Sequence, residues 1–61
     1  MTLKNKIKTL KESGMSYSYI AKLAKVHRST IARYMRNEFE LSEQKMQEIE
    51  LVVDKLIRGI N

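Results

Sequence analysis

The 61-residue sequence contains no cysteine, no proline and no tryptophan, and only two glycines. Without cysteine the chain cannot form a disulfide or a thiolate metal site, and its single histidine cannot build a zinc site alone. A domain of this size buries only about 60% of the surface that its unfolded chain exposes, so its core is small. Because disulfides and structural metals are excluded, self-association is the expected source of further stability.

Long hydrophobic runs are also missing. No stretch approaches the ~20 apolar residues that a membrane span requires. Lysines interrupt every hydrophobic segment near Met1, which argues against a signal peptide. We therefore expect a cytoplasmic protein with no membrane partner, in a bacterium or a phage-infected host cell.

Acidic residues are scarce in the first part of the chain. Residues 1–36 carry nine lysine and arginine side chains against Glu12 alone, whereas residues 37–61 carry three basic and six acidic side chains. A basic half can neutralise nucleic-acid phosphates, and an acidic half is repelled by them. The asymmetry indicates a DNA-facing region joined to a partner-facing tail, although a lysine-rich chain with ordinary solvated faces would carry the same charges.

The scarcity of helix breakers predicts an all-α fold of four helices. A first helix can begin at the N-cap candidate Thr2 and end before Gly14, where glycine can adopt a left-handed conformation. The fourth helix is the longest and spans residues 42–58, with Ser42 as its cap and Gly59 as its stop.

Between these two helices, residues 16–36 read as two short amphipathic helices joined by a tight break near Lys25. Ser16 can cap the first of the pair, and its inward-facing residues are expected to be Ile20, Leu23 and Ala24. The second covers about residues 28–36, and residues 37–41 form a loop. Two helices that cross steeply need a small residue where they approach, and Ala21 meets that need. This layout is typical of a helix-turn-helix.

The third helix has one basic face and one apolar face. On a helical wheel, an arc of roughly 140° collects the basic and small residues Arg28, Ser29, Ala32, Arg33 and Arg36. Ile31, Tyr34 and Met35 project mostly to the other side. The basic face combines three guanidinium groups, a hydroxyl and a small residue, so it can enter a DNA major groove without steric obstruction.

The stretch AKLAKVHRSTIARYMRN, at residues 21–37, resembles the helix-turn-helix of the lambda-repressor/Cro type and the head-piece of the lac-repressor family. The resemblance covers about residues 16–37, a third of the chain. It implies that Arg28 and Ser29 read base edges at the start of the recognition helix. It also implies a base or phosphate contact from Arg33 and a phosphate contact from Thr30. At the start of the supporting helix, it implies contacts to the DNA backbone from Ser16 and Tyr17.

Two residues depart from the pattern of these families. Lys25 stands where many members place glycine, and His27 stands where serine or threonine usually caps the recognition helix. A non-glycine residue in a left-handed turn costs about 1 kcal/mol, so Lys25 strains the motif without excluding it. We expect His27 to have a structural role.

The basic face and the resemblance together define the predicted DNA contacts. Base contacts are expected from Arg28, Ser29, Ala32 and Arg33. Phosphate contacts are expected from Ser16, Tyr17, Lys22, Thr30 and Arg36. For Tyr17 two roles stay open, since a tyrosine at a helix start can donate its hydroxyl to phosphate or cover the edge of the core.

The fourth helix carries a heptad-like stripe of Met46, Ile49, Val53, Leu56 and Ile60, which Val52 and Ile57 widen. Either all seven residues cover the helix-turn-helix, or part of this apolar surface is left uncovered and is buried by a second copy. Because the first three helices are short, we expect that they cannot cover the whole surface, and we place the dimer contact on the five stripe residues.

We therefore expect residues 1–61 to form a single domain. Its expected function is that of a transcriptional regulator, a phage- or plasmid-type repressor, that binds an inverted-repeat operator in double-stranded DNA as a homodimer. No catalytic triad, phosphate-binding glycine loop or apolar carboxylate pair is recognisable, so we expect no enzyme, cofactor, metal or small-molecule effector. Two alternatives are a protein-binding module on a helix-turn-helix scaffold, such as an inhibitor or antitoxin-like factor, and the head-piece of a longer regulator.

Overall fold

The computed structural model describes residues 2–60, without the side chain of Ile60. This part of the chain folds into α1 (Leu3–Glu12), α2 (Tyr17–Ala24), α3 (Arg28–Met35) and α4 (Glu43–Ile60), and it contains no strand. The predicted all-α fold of four helices, the last of them the longest, is confirmed.

Each helix begins at a side chain that accepts a backbone hydrogen bond. The hydroxyl oxygens of Thr2, Ser16 and Ser42 accept from the N–H three residues later, at 3.2, 3.1 and 3.2 Å. The Nδ1 atom of His27 accepts from the N–H of Ser29 at 3.1 Å. Such caps satisfy donors that have no partner within the helix. The three hydroxyl caps were predicted, and His27 has the structural role expected of it.

The first three helices end in the same way. Gly14, Lys25 and Asn37 have φ angles of 103°, 60° and 62°. In each case the following residue donates its N–H to a carbonyl five residues earlier, at 3.1, 3.0 and 2.9 Å. This motif satisfies carbonyls at the helix end and turns the chain sharply. Glycine adopts the left-handed conformation without strain and asparagine tolerates it, so Lys25 is the strained member of the three.

One hydrophobic core receives residues from all four helices. Its buried members are Leu3, Ile7, Leu10, Ile20, Ala21, Ile31, Tyr34, Ile49 and Val53. Ala21 is 2% exposed on α2, which packs against α3, in agreement with the predicted need for a small residue. Leu23 was expected to face inward but is 41% exposed. The inward side of α2 is centred between Ile20, Ala21 and Ala24, and Leu23 points about 110° away from that centre.

α4 packs along α1 and α2, and an ion cluster joins its acidic side to α1. Lys6 Nζ lies 2.8 Å from Asp54 Oδ1 and 3.4 Å from Glu50 Oε2. The hydrogen bond to Asp54, followed by that to Glu50, raises the pKa of Lys6 above its ordinary value of 10.5 against the opposing effect of desolvation. The α4 segment of the acidic half therefore packs against the basic half, and its role as a partner-facing region stays a prediction.

The C-terminal end of α4 also differs from expectation. The predicted stop at Gly59 is wrong, because the helix continues through this residue to Ile60. The glycine has no positive φ angle, so it behaves as an ordinary helical residue. Within residues 2–60, neither α4 nor any other helix combines the length and the apolar composition needed to cross a bilayer.

Candidate nucleic-acid interface

The rotation of α3 about its axis is determined by two buried side chains. Ile31 is fully buried and Tyr34 is 8% exposed. The residues on the opposite side are Arg28, Ser29, Ala32, Arg33 and Arg36, which we name the α3 outer face. All of them are exposed except Ala32, which is partly buried. The structure thus brings the four predicted base-contacting residues onto one accessible surface, with a short side chain in its middle.

A local network at the start of α3 orients Ser29. His27 Nδ1 lies 3.1 Å from the Ser29 N–H nitrogen and 2.8 Å from Ser29 Oγ. Because a backbone N–H can only donate, Nδ1 is the acceptor, and the proton of the neutral imidazole is on Nε2. The Ser29 hydroxyl then donates to Nδ1, and the lone pairs of its oxygen remain free to accept from a base amino group.

Arg28 differs from the other two arginines of the α3 outer face in its ion pairing. Within residues 2–60 it forms no ion pair, whereas Arg33 and Arg36 both approach Glu38. Arg28 also lies in the first turn of α3, where recognition helices of this type commonly contact base edges. Its guanidinium group is therefore available to a base or a phosphate.

Glu38 is a residue of this surface that the sequence patterns did not indicate. Arg36 donates from Nε to Glu38 Oε2 at 2.9 Å and from Nη2 to Oε1 at 3.4 Å. Arg33 Nε lies 4.0 Å from Oε1 of the same carboxylate. All three side chains are at least half exposed. Glu38 thus neutralises part of the positive charge at the C-terminal end of α3 and competes with any phosphate for Arg36.

The predicted phosphate contacts on α2 lie near its N-terminus and along its exposed side. Ser16 and Lys22 are exposed, and the Ser16 hydroxyl can still donate a hydrogen bond while its oxygen caps α2. Tyr17 packs against the core, and Lys11 Nζ lies 4.7 Å from the centroid of its ring. The ring of Tyr17 therefore covers the edge of the core, and a phosphate contact from its hydroxyl stays a prediction. Thr30, the remaining phosphate candidate, is partly buried on α3.

α1 contributes two lysines beside the helix-turn-helix that its sequence pattern did not single out. Lys11 lies over Tyr17 at the start of α2. Lys4 Nζ lies 4.9 Å from the centroid of the Tyr34 ring and contacts Asn37 Oδ1 at the end of α3. Cation–π contacts of this kind hold a lysine without neutralising it. Two positive charges from α1 therefore lie beside the start of α2 and the end of α3.

The predicted dimer residues on α4 do not share one environment. Ile49 and Val53 are fully buried within the single chain, so a second copy cannot contact them. Leu56 is partly buried against the same core, and Met46 is 37% exposed. The side chain of Ile60 lies outside the described residues. The stripe therefore mainly covers the domain's own core, which was the alternative left open by its spacing.

The fold and the basic outer face define a small helix-turn-helix domain in which α1 and α4 support the α2–α3 pair. Residues 2–37, more than half of the chain, match the profile of a family described as a helix-turn-helix domain. The chain therefore belongs to this helix-turn-helix family, and the match supports DNA as its partner. The matched residues cover α1 to α3, and α4 lies outside the match. No curated protein and no solved structure matches the chain significantly.

Proposed function

We propose that the protein is a sequence-specific transcriptional regulator of the lambda-repressor/Cro type that acts as a repressor on double-stranded DNA. The observation that carries this proposal is the α3 outer face, where arginines flank the short side chain of Ala32 and the apolar residues are turned into the core. A helix with this face fits the major groove, where base edges differ between all four base pairs.

The residues divide into two groups by their chemistry. Arg28 is assigned to a guanine edge, because a guanidinium group can donate two parallel hydrogen bonds to O6 and N7. Ser29, Ala32 and Arg33 contact neighbouring bases. Phosphate contacts come from Ser16, Tyr17, Lys22, Thr30 and Arg36, and these provide affinity and register without reading sequence.

A single α3 places only a few side chains in one groove, which rarely supplies useful specificity. We propose that a homodimer doubles these contacts on an inverted-repeat operator whose half-sites are about 34 Å apart, one helical turn of DNA. The marginal core expected for a chain of this length favours the same arrangement.

The competing class is a protein-binding module on the same scaffold. Such a module needs exposed aromatic or aliphatic anchors on its contact surface. The α3 outer face offers arginines and a serine instead, so DNA binding is favoured. The proposed activity therefore requires neither a cofactor nor a small-molecule effector.

The direct test is selection of binding sites from a random pool of DNA duplexes by the purified protein, followed by sequencing. We expect an enriched inverted repeat. Titrations of the selected duplex at several salt concentrations should give a log–log slope of roughly −5 to −6, which corresponds to about six phosphates per dimer. No measurable binding to any duplex at low salt would contradict the proposal.

A further inference from the structure

Ser29 is a residue of the α3 outer face whose hydrogen-bonding direction is fixed before DNA binds. A serine hydroxyl carries one donor and two acceptor lone pairs, so a free serine in a major groove can contact base donors and base acceptors alike. Here the one proton is already used, because the hydroxyl donates to His27 Nδ1 at 2.8 Å. Ser29 is exposed, and its oxygen is therefore left with acceptor capacity alone.

His27 is held in place both at its backbone and at its ring. Its carbonyl oxygen accepts from the N–H of Thr30 at 3.0 Å, and its Nδ1 accepts from the N–H of Ser29 at 3.1 Å. Because the N–H of Ser29 lies in the first turn of α3, it has no acceptor within the helix. The start of the helix thus keeps Nδ1 as an acceptor, and a rotation of the imidazole would remove the cap.

The direction of the Ser29 hydrogen bond selects between two kinds of base. In the major groove, adenine and cytosine present an amino group, whereas guanine and thymine present a carbonyl oxygen. A hydroxyl that can only accept forms a hydrogen bond with the amino groups. Opposite a carbonyl oxygen, it would either leave two acceptors facing each other or give up its bond to His27.

We propose that His27 determines the base preference of Ser29, which reads adenine or cytosine and rejects guanine and thymine at the base that it contacts, the Ser29 position of the operator. His27 is a positioning residue, since it acts through Ser29 and not by contact with a base. The proposal deepens the base contact of Ser29 in the proposed function and rests on it. One neutral hydrogen bond corresponds to about a fivefold preference per half-site.

Selection of binding sites by variants of His27 provides the first test. His27→Gly removes the imidazole but keeps a residue suited to a helix start, so it should still bind DNA while the preference at the Ser29 position relaxes to all four bases. His27→Asp restores an acceptor-only side chain that also caps a helix, and it should return the preference for adenine and cytosine.

Two further variants complete this test. Ser29→Ala identifies the Ser29 position, because it should relax the preference at that base alone. Ser42→Gly is the matched control for His27→Gly, since it removes the side-chain cap of α4 and should leave every base preference unchanged. A merely structural role of His27 would change stability without changing which base is selected.

Base analogues test the same hydrogen bond from the DNA side. In the selected duplex, adenine at the Ser29 position is replaced by purine, or cytosine by 2-pyrimidinone, and each analogue lacks the amino group. In binding titrations the original chain should lose about fivefold in affinity per half-site, whereas Ser29→Ala should bind the two duplexes equally.

NMR of the labelled imidazole nitrogens tests the tautomer without DNA. At about pH 8, where an ordinary imidazole is neutral, Nε2 of His27 should carry the proton and Nδ1 should be the acceptor. The opposite tautomer would overturn the proposal, because Nδ1–H would donate to Ser29 and leave the hydroxyl proton for guanine or thymine.

The possible outcomes separate this inference from the proposed function. A preference for guanine or thymine at the Ser29 position, or a preference that survives in His27→Gly, overturns the role of His27 while sequence-specific binding stands. If Ser29→Ala selects the same sites as the original chain, Ser29 reads no base and the inference fails in the same way. If the original chain binds no duplex, the regulator proposal fails, and the role of His27 in base preference fails with it.

Discussion

Replacement of Glu38 by glutamine should strengthen DNA binding, although it removes two ion pairs. In the free protein the Glu38 carboxylate holds Arg36 at 2.9 Å and lies 4.0 Å from Arg33. DNA phosphate must displace this carboxylate from Arg36 or bind beside it. Glutamine keeps the size of the side chain but loses its charge, so Arg36 becomes fully available to phosphate.

The magnitude follows from counterion release. In the original chain the Glu38 carboxylate offsets the charge that Arg36 brings to a phosphate, so its removal should make the log–log salt slope steeper by about 0.9 per half-site, as one further neutralised phosphate would. At 0.15 M salt this corresponds to about a fivefold gain in affinity for each half-site. The stability of the fold should hardly change, because an exposed ion pair contributes only about 0–1 kcal/mol.

Fluorescence anisotropy of a labelled duplex, titrated between about 50 and 300 mM salt, measures both quantities. Glu40→Gln is the matched control, because it makes the same change of charge two residues further on and forms no ion pair within residues 2–60. If Glu38→Gln and Glu40→Gln shift the affinity and the slope equally, Glu38 does not compete with phosphate for Arg36, and the reasoning is refuted.

Three further predictions concern the recognition helix, the turn and the alkaline stability. Arg28→Ala should reduce the free energy of operator binding by about 1–3 kcal/mol per half-site and relax the preference at one base pair, whereas Lys22→Ala should weaken binding to all duplexes alike. Equal, sequence-independent losses for both variants in binding titrations would contradict the base contact of Arg28. Lys25→Gly should stabilise the fold by about 1 kcal/mol in urea unfolding, because glycine relieves the left-handed strain, and Lys22→Gly inside α2 should destabilise it by a similar amount. The pKa of Lys6 is raised above 10.5 by Asp54 and Glu50, and that of Tyr34 above 10.0 by burial and by Glu50. The folded chain thus holds both protons more tightly than the unfolded chain. The contribution of these two groups to the free energy of unfolding should therefore be fully present below about pH 10 and be lost as the pH rises through their pKa values in the folded state. A free energy of unfolding that stays constant up to about pH 11 would contradict this.

Most of the local structure follows from short-range patterns. The hydroxyls of Thr2, Ser16 and Ser42 mark helix starts, because an oxygen at that position meets N–H groups only three residues away. Gly14 marks a helix end for an equally local reason. The left-handed conformation of Asn37 was missed, since asparagine adopts it only in some contexts.

The α3 outer face was also predictable, because the two faces of a helix follow from its period of 3.6 residues. The buried side is occupied by Ile31 and Tyr34, as their spacing indicated. Helical periodicity failed at Leu23, because α2 has only eight residues and apolar side chains on more than one side. The side that becomes buried is then decided by the neighbouring helices.

Amino-acid sequence by itself thus determined the four helices, the turn at Lys25 and the basic face of α3, all of which depend on residues close together in the chain. Tertiary structure alone decided what the α4 stripe covers: Ile49 and Val53 are buried against the other helices of the same chain. It also decided the partner of Lys6, whose carboxylates lie 44 and 48 residues away on α4. A periodic pattern shows that a face is apolar or charged, but the packing of distant segments determines what that face meets.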